Sequence, residues 1–459
     1  MNYACRALHS EPLRHVFESQ ESPKTATLNT NKLSLTILFG LVFLILHYRI
    51  QAYLQFPFSA PSRLAFYGCL FLLVIVLHKG YLQLSLGMLA LLGSVMLAGV
   101  HTALLTGVEL AIHATGRFVN VMLLAPFVAL LFTEERHMGW VLWLFWAVFT
   151  SALVSLLIQY GGGSLDALVN DYVAIRGDLI RHMTVVGEPN VGGMLAVIAF
   201  VSFVMLVKRR DFAVILGGAA VALVFFSISK AAILGMGVAV AAGLVVLRQE
   251  GLKEAVVRAA LAGLLGLLLL QLLGAEDYAR VSFESVLGSI RGEPSVLVDF
   301  QSRQSSIDVL GLFKGSPLSP PLSYLLGISF SDVGSAAQEI RGLNSNVFLP
   351  HNSYLELLLT GGALMLSIVL FLMARAFRSL WRSGIMEERR IDRCSLICLI
   401  ILSCWMLVYP VIYEPVTGCL FWIIVGYGNR IHTSLPSSAL LANCKGEQNS
   451  SSFHRPEAL

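Results

Sequence analysis

Apolar runs separated by short polar intervals fill the chain from residue 33 onward. They lie near 33–51, 63–78, 81–100, 109–132, 139–159, 191–207, 212–228, 231–247, 254–274, 353–374, 394–413 and 415–428. Most approach the ~20 residues a helix needs to cross a hydrocarbon core. An outer-membrane barrel would instead show alternating segments of ~10 residues, so this pattern excludes one. The expectation is an all-α, polytopic transmembrane helical bundle of about twelve spans.

Composition supports that reading. Of 459 residues, 56% are hydrophobic and 13% charged, with a mean hydropathy of +0.75. A soluble domain carries roughly 25% charged residues. This chain therefore lacks the polar surface to face water and must be solvated by lipid. No internal repeat is evident. Residues 1–32 are polar and the first apolar run is long enough to span, so no cleavable signal peptide is expected. The seven cysteines lie mostly within apolar runs and form no Cys-x-x-Cys pair, so neither a zinc site nor a disulfide framework is indicated.

Charge sets the orientation, because Lys and Arg accumulate on the cytoplasmic side. The strongest markers are Lys208-Arg209-Arg210 and the group Arg375, Arg378, Arg382, Arg389, Arg390 and Arg393. An N-in, C-in chain puts both in the cytoplasm. Its organisation is then a cytoplasmic tail (1–32), spans one to nine (33–274), a large outer loop (275–352), spans ten to twelve (353–428) and a second cytoplasmic tail (429–459). The outer loop far exceeds the 2–8 residues that usually join helices and is expected to fold over the membrane, with Pro317–Pro321 as a turn. The basic residues are dispersed between spans, which gives no reason to expect a nucleic-acid partner.

Candidate chemistry gathers on the outer side. Pro350-His351-Asn352-Ser353-Tyr354-Leu355-Glu356 closes the long loop and opens a span. His351 sits at the water boundary, able to act as a general base near neutral pH. Ser353-x-x-Glu356 reads as a capping box, with Asn352 as the alternative cap. The loop near 160–190 holds Arg181, then Gly187-Glu188-Pro189-Asn190, where Pro189-Asn190 starts a helix and Gly192 and Gly193 permit close packing. Arg181 reads either as a headgroup-facing arginine or as an anion ligand. Arg303 stands alone in the long loop.

Span four carries Glu109, His113 and Arg117 at i, i+4 and i+8, on one helical face. Arg117 lies about 12 Å inward at 1.5 Å per residue. An arginine at that depth points to function, or to a self-neutralising stripe facing the bundle. Ser227-Ile228-Ser229-Lys230 makes a tight outer turn, with Lys230 facing either headgroups or phosphate.

Three pieces together resemble the O-antigen ligase and polymerase family of bacterial envelope enzymes. They are Arg181 followed by Gly-Glu-Pro-Asn (187–190), Ser229-Lys230-Ala231-Ala232 opening a span, and His351-Asn352-Ser353-Tyr354-Leu355 closing the long outer loop. The likeness covers about residues 140–375 and elsewhere only the topology. It departs at Lys230, where the family has arginine, and at Gly327-Ile328-Ser329, where it has Gly-x-Gly.

The resemblance implies transfer of a glycan from an undecaprenyl diphosphate donor to a glycan or lipid A-core acceptor, at the periplasmic face of the bacterial inner membrane. A departing diphosphate needs its charge stabilised by a metal or by arginines, and the outer loops hold no Asp-x-Asp or carboxylate cluster for a divalent ion. Arg181 and Arg303 would then bind the diphosphate, with Arg117 and Lys230 assisting. His351 would take the acceptor proton, supported by Asn352, Tyr354 and Asn190. No cofactor and no metal are expected, and direct attack would invert the anomeric carbon. The same donor chemistry suits an O-antigen or exopolysaccharide polymerase. Twelve spans also suit a lipid-linked oligosaccharide flippase, although carriers usually place their longest loop in the cytoplasm.

Overall fold

The computed structural model describes residues 33–42, 45, 67–68, 85–132, 134–163, 174–176, 179–181, 184–185, 188–247, 249–291, 319–328, 352–412 and 414–431. In chain order the helices are α1 (Leu33–Val42), α2 (Leu86–Thr106), α3 (Val108–Met122), α4 (Leu124–Leu131) and α5 (Glu135–Tyr160). After an antiparallel hairpin, β1 (Ala174–Arg176) with β2 (Leu179–Arg181), follow α6 (Pro189–Leu206), α7 (Arg210–Phe226), α8 (Lys230–Val246), α9 (Gln249–Leu272) and α10 (Glu276–Arg291). Then come α11 (Pro320–Leu326), α12 (Ser353–Trp381), α13 (Arg390–Trp405) and α14 (Pro415–Ile431). The protein is thus a helical bundle, and the hairpin is the only sheet among the described residues.

Five segments are long and apolar enough to cross a membrane: Leu86–Leu105, Glu135–Tyr160, Pro189–Leu206, Gly251–Leu272 and Ser353–Met386. Leu33–Val42 and Lys230–Val246 are apolar but shorter. The expected runs near 81–100, 109–132, 139–159, 191–207, 212–228, 231–247, 254–274 and 353–374 each meet a helix in register to within a few residues, that near 109–132 being divided into α3 and α4. The run near 63–78 lies outside the described residues except for Tyr67 and Gly68.

Local chemistry explains the helix starts. Pro189 occupies the first turn of α6, where its missing N–H and fixed φ cost nothing. Ser229 caps α8 by accepting from the Ala232 amide at 3.3 Å, and Asn352 caps α12 by accepting from the Leu355 amide at 3.0 Å. The capping box expected at Ser353 and Glu356 is therefore corrected. Ser353 lies inside the first turn, and its hydroxyl donates across the fold to the Tyr409 carbonyl at 2.9 Å.

That bond corrects a second expectation. The apolar run 394–413 is helical only to Trp405, and residues 406–412 form a turn-rich segment. Ser353 holds that segment twice, since its amide also donates to the Met406 carbonyl at 2.7 Å. Carbonyls at the end of α13 thus find partners on α12 instead of continuing their own helix.

Cross-links define two poles. At the upper pole, Tyr160 donates to the Leu273 carbonyl at 3.0 Å and Trp405 Nε1 to the Ala231 carbonyl at 2.7 Å. At the lower pole, Arg258 donates to the Val207 carbonyl at 2.6 Å, Tyr427 to Asp392 at 2.7 Å, and Arg389 pairs with Glu135 at 3.2 Å. Small residues let the helices approach between these ends. A Cβ on Gly217 would meet Ala262 at 2.9 Å, one on Gly218 would meet Leu265 at 2.9 Å, and one on Gly266 would meet Val221 at 2.6 Å, so α7 and α9 share a glycine seam.

Of the long segment 275–352, residues 275–291, 319–328 and 352 are described, and the stretch 319–328 is anchored in the bundle. Part of it is helical, as α10 and α11. Helix α12 is broken at Gly362, whose φ of 67° lies where glycine alone is comfortable. Into that break fits the end of α11: Gly327, φ 83°, lies against Thr360 and Gly361, and the Ile328 amide donates to the Leu359 carbonyl at 2.6 Å. A side chain at either glycine would collide with the other backbone.

Candidate functional site

Among the helices that begin at the upper pole are α6, α8, α10, α12 and α14, and α10 opens with the acids Glu276 and Asp277. Each start carries a partial positive charge, answered in part by caps at α8, α12 and α14, where Ser229, Asn352 and Glu414 accept from the Ala232, Leu355 and Thr417 amides. Lys230 stands in the first turn of α8, half-buried. A cation at a helix N-terminus opposes the dipole, and a bound anion would relieve both.

The turn that presents Lys230 is strained. Ile228 has φ 45°, a genuine outlier for a β-branched residue, and it is 1% exposed. It is held by its amide donating to the Phe225 carbonyl at 2.9 Å and by the Ser229 amide donating to Ser227 Oγ at 3.3 Å. Gly193 of α6 makes room, since a Cβ there would collide with the Ser227 hydroxyl. Strain retained by dense packing is a mark of functional sites.

Arg181 ends β2, paired with Ala174. Three residues on, Thr184 is buried against Gly192 of α6, and the Val185 amide donates to Ser155 Oγ at 3.3 Å. The strand carrying Arg181 is therefore tied to the start of α6; its side chain lies outside the described ones. Asn190 is half-buried in the first turn of the same helix. Tyr354 donates to the Ser403 carbonyl at 3.0 Å, bracing α12 on α13. The upper pole thus gathers Lys230, Asn190, Asn352, Tyr354 and the Arg181 strand.

His351 and Arg303 lie outside the described residues, though His351 immediately precedes the Asn352 cap. Arg117 lies within α3, and the side chains of Glu109, His113 and Arg117 are also outside the description. Among the described residues no group of three His, Cys, Asp or Glu could hold a metal ion.

A residue that the sequence reading passed over stands here as well. Glu414 precedes α14 and caps it, accepting from the Thr417 amide at 2.6 Å and the Thr417 hydroxyl at 3.0 Å. Burial lifts its carboxyl from 4.5 to about 7, against the lowering effect of the Thr417 bonds, and the charge of Glu188 adds a smaller push upward. A carboxyl poised near neutral pH is suited to proton transfer. The sequence signal was an acid beside Pro415 in a short interval between apolar runs. Glu188, at the start of α6, is its acidic neighbour.

No protein-family model matches the chain, and no curated protein matches it closely enough to count as a relative.

Proposed function

We propose that this protein is a multi-pass glycosyltransferase of the O-antigen ligase-like type, with about twelve spans, both termini cytoplasmic, and its site at the periplasmic face of a bacterial inner membrane. The observation that supports the reading is that the starts of α6, α8, α12 and α14, the strained Lys230 turn, the Arg181 strand and the Asn352 cap stand at one pole. Such a pole suits a diphosphate, and its neighbour Glu414 suits proton transfer.

The donor is an undecaprenyl-diphosphate-linked glycan. The acceptor hydroxyl attacks the anomeric carbon, a new C–O bond forms, and the bond to the diphosphate breaks. The hydroxyl proton passes to His351, with Glu414 as the second group able to receive it. The diphosphate leaves as the anion held by Arg181, Arg303 and Lys230, with Arg117 assisting. Inversion at the anomeric carbon follows from a single displacement.

The test is transfer by purified protein in detergent, with a lipid-linked donor and a core-oligosaccharide acceptor. His351→Ala is expected to lower transfer by ~10²–10⁴, and Arg181→Ala or Arg303→Ala by ~10²–10³ each, with membrane insertion intact. Full activity in any one variant removes that residue from the scheme, and no transfer by the wild type removes the scheme. A gel of envelope glycan from a deletion strain separates ligase from polymerase: loss of all laddered material marks the first, a single-repeat band the second.

A further inference from the structure

The lower pole contains a cavity of about 910 Å³ between the ends of α6, α8, α9 and α13. Three arginines line it, Arg258, Arg390 and Arg393, together with Glu254 and Glu388. Among the described lining residues the balance is one positive charge. Arg258 is 7% exposed. Its Nη groups hold the Val204, Val207 and Lys208 carbonyls at the end of α6, and Glu254. Its Nε has no hydrogen-bond partner among the described residues. Arg393 donates from Nε to the Gly384 carbonyl at 2.6 Å. Arg390 is exposed.

An almost wholly apolar groove continues from this cavity, sharing Val204, Met205, Leu244 and Leu247 with it. It extends one turn toward the upper pole, past Phe200 on α6, Val240 on α8 and Ile397 on α13. Gly243 lies along it, and a Cβ there would meet nothing within 4 Å.

The geometry points to a structural lipid site here: an anionic phospholipid with its phosphate among the three arginines and an acyl chain in the groove. The juxtaposition carries the argument, because a basic pocket at a helix end that opens onto an apolar furrow matches both halves of one lipid. The net positive charge of the described lining complements the negative charge of phosphatidylglycerol. The site lies at the pole opposite the proposed transfer chemistry. It rests only on the helices spanning a bilayer, so failure of one leaves the other standing.

The test is native mass spectrometry of detergent-purified, delipidated full-length protein titrated with phosphatidylglycerol, phosphatidylcholine or inorganic phosphate. Phosphatidylglycerol is expected to be retained in preference to phosphatidylcholine. Arg390→Gln should weaken retention roughly fivefold, and adding Arg393→Gln about fivefold more. Gly243→Phe, which fills open space, should weaken it while leaving the melting temperature of the lipid-free protein unchanged. Arg258→Gln risks the end of α6 and is not needed. Equal retention of the two lipids, or retention indifferent to both Arg390→Gln and Gly243→Phe, overturns the proposal. So does inorganic phosphate that binds as tightly as the lipid and is indifferent to Gly243→Phe, because the occupant would then be a soluble anion.

Discussion

Helices α6 and α9 have nearly the same hydropathy, 2.0 and 2.1 over their most apolar windows, yet 83% of one window and 22% of the other is buried inside the protein. Water would forbid such a contrast, since an apolar face must hide from it. Lipid does not, because acyl chains are as apolar as leucine. Hydropathy therefore reports which segments enter the bilayer, and small residues report where they meet. Helix α6 meets neighbours around most of its circumference. Helix α9 meets α7 along one seam and leaves Leu264 66% exposed and Leu268 48% exposed.

The contrast can be broken from the inside outward. Gly193→Leu is expected to be the most damaging change, by about 3 kcal/mol or more, since it drives a side chain into Ser227 and the strained turn. Reversible unfolding in detergent would measure it, and a wild-type midpoint would refute the account of α6 as a fully engaged helix. Gly266→Leu on α9 meets Val221 and should cost roughly 1–3 kcal/mol in the same assay. Leu267 is 43% exposed one residue further on, so a null result at 266 would mean the seam is not tight.

The upper ends sharpen the comparison. Helix α6 starts beside Glu414, whose carboxyl is held at about 7. The folded protein then binds more protons there than the unfolded chain between pH 4.5 and 7. This contribution to stability is complete below 4.5 and is lost as pH rises through 7, with a slope of at most about 1.4 kcal/mol per pH unit. Glu414→Gln should flatten that part of the stability–pH curve; an unchanged curve would dismiss the shift. If Glu414 takes the acceptor proton, transfer should also rise through pH 7 and lose that rise in Glu414→Gln. The smallest effect is expected at Leu264→Ala, within about 0.5 kcal/mol, and a larger loss would show that α9 is covered on its outer side.

Much of this architecture could be read in advance. Pro189 and Ser229 announced the starts of α6 and α8 through local chemistry, which acts on its own segment. Other features depended on partners far along the chain. Met406 to Val408 are as apolar as the helix before them, and only the reach of Ser353 to the Met406 and Tyr409 carbonyls explains why α13 stops. Gly361-Gly362 inside an apolar run looks like any close-packing pair until Gly327 is set against it. Of the candidate site residues, Lys230, Asn190, Asn352 and Tyr354 could be placed at helix starts from local sequence alone. Glu414 escaped notice because an isolated acid near a proline carries no pattern, and its significance comes from burial and from Glu188, more than two hundred residues earlier.

The interlock of Gly327 with Gly362 makes the end of α11 and the broken helix α12 a single unit. To part α11 from α12, the Ile328 amide must release the Leu359 carbonyl. A buried carbonyl left without a partner costs about 1–3 kcal/mol, and Leu359 is fully buried. Anything that separates the end of α11 from α12 must therefore break a backbone bond inside the kink of a long helix, so the two elements move together or not at all.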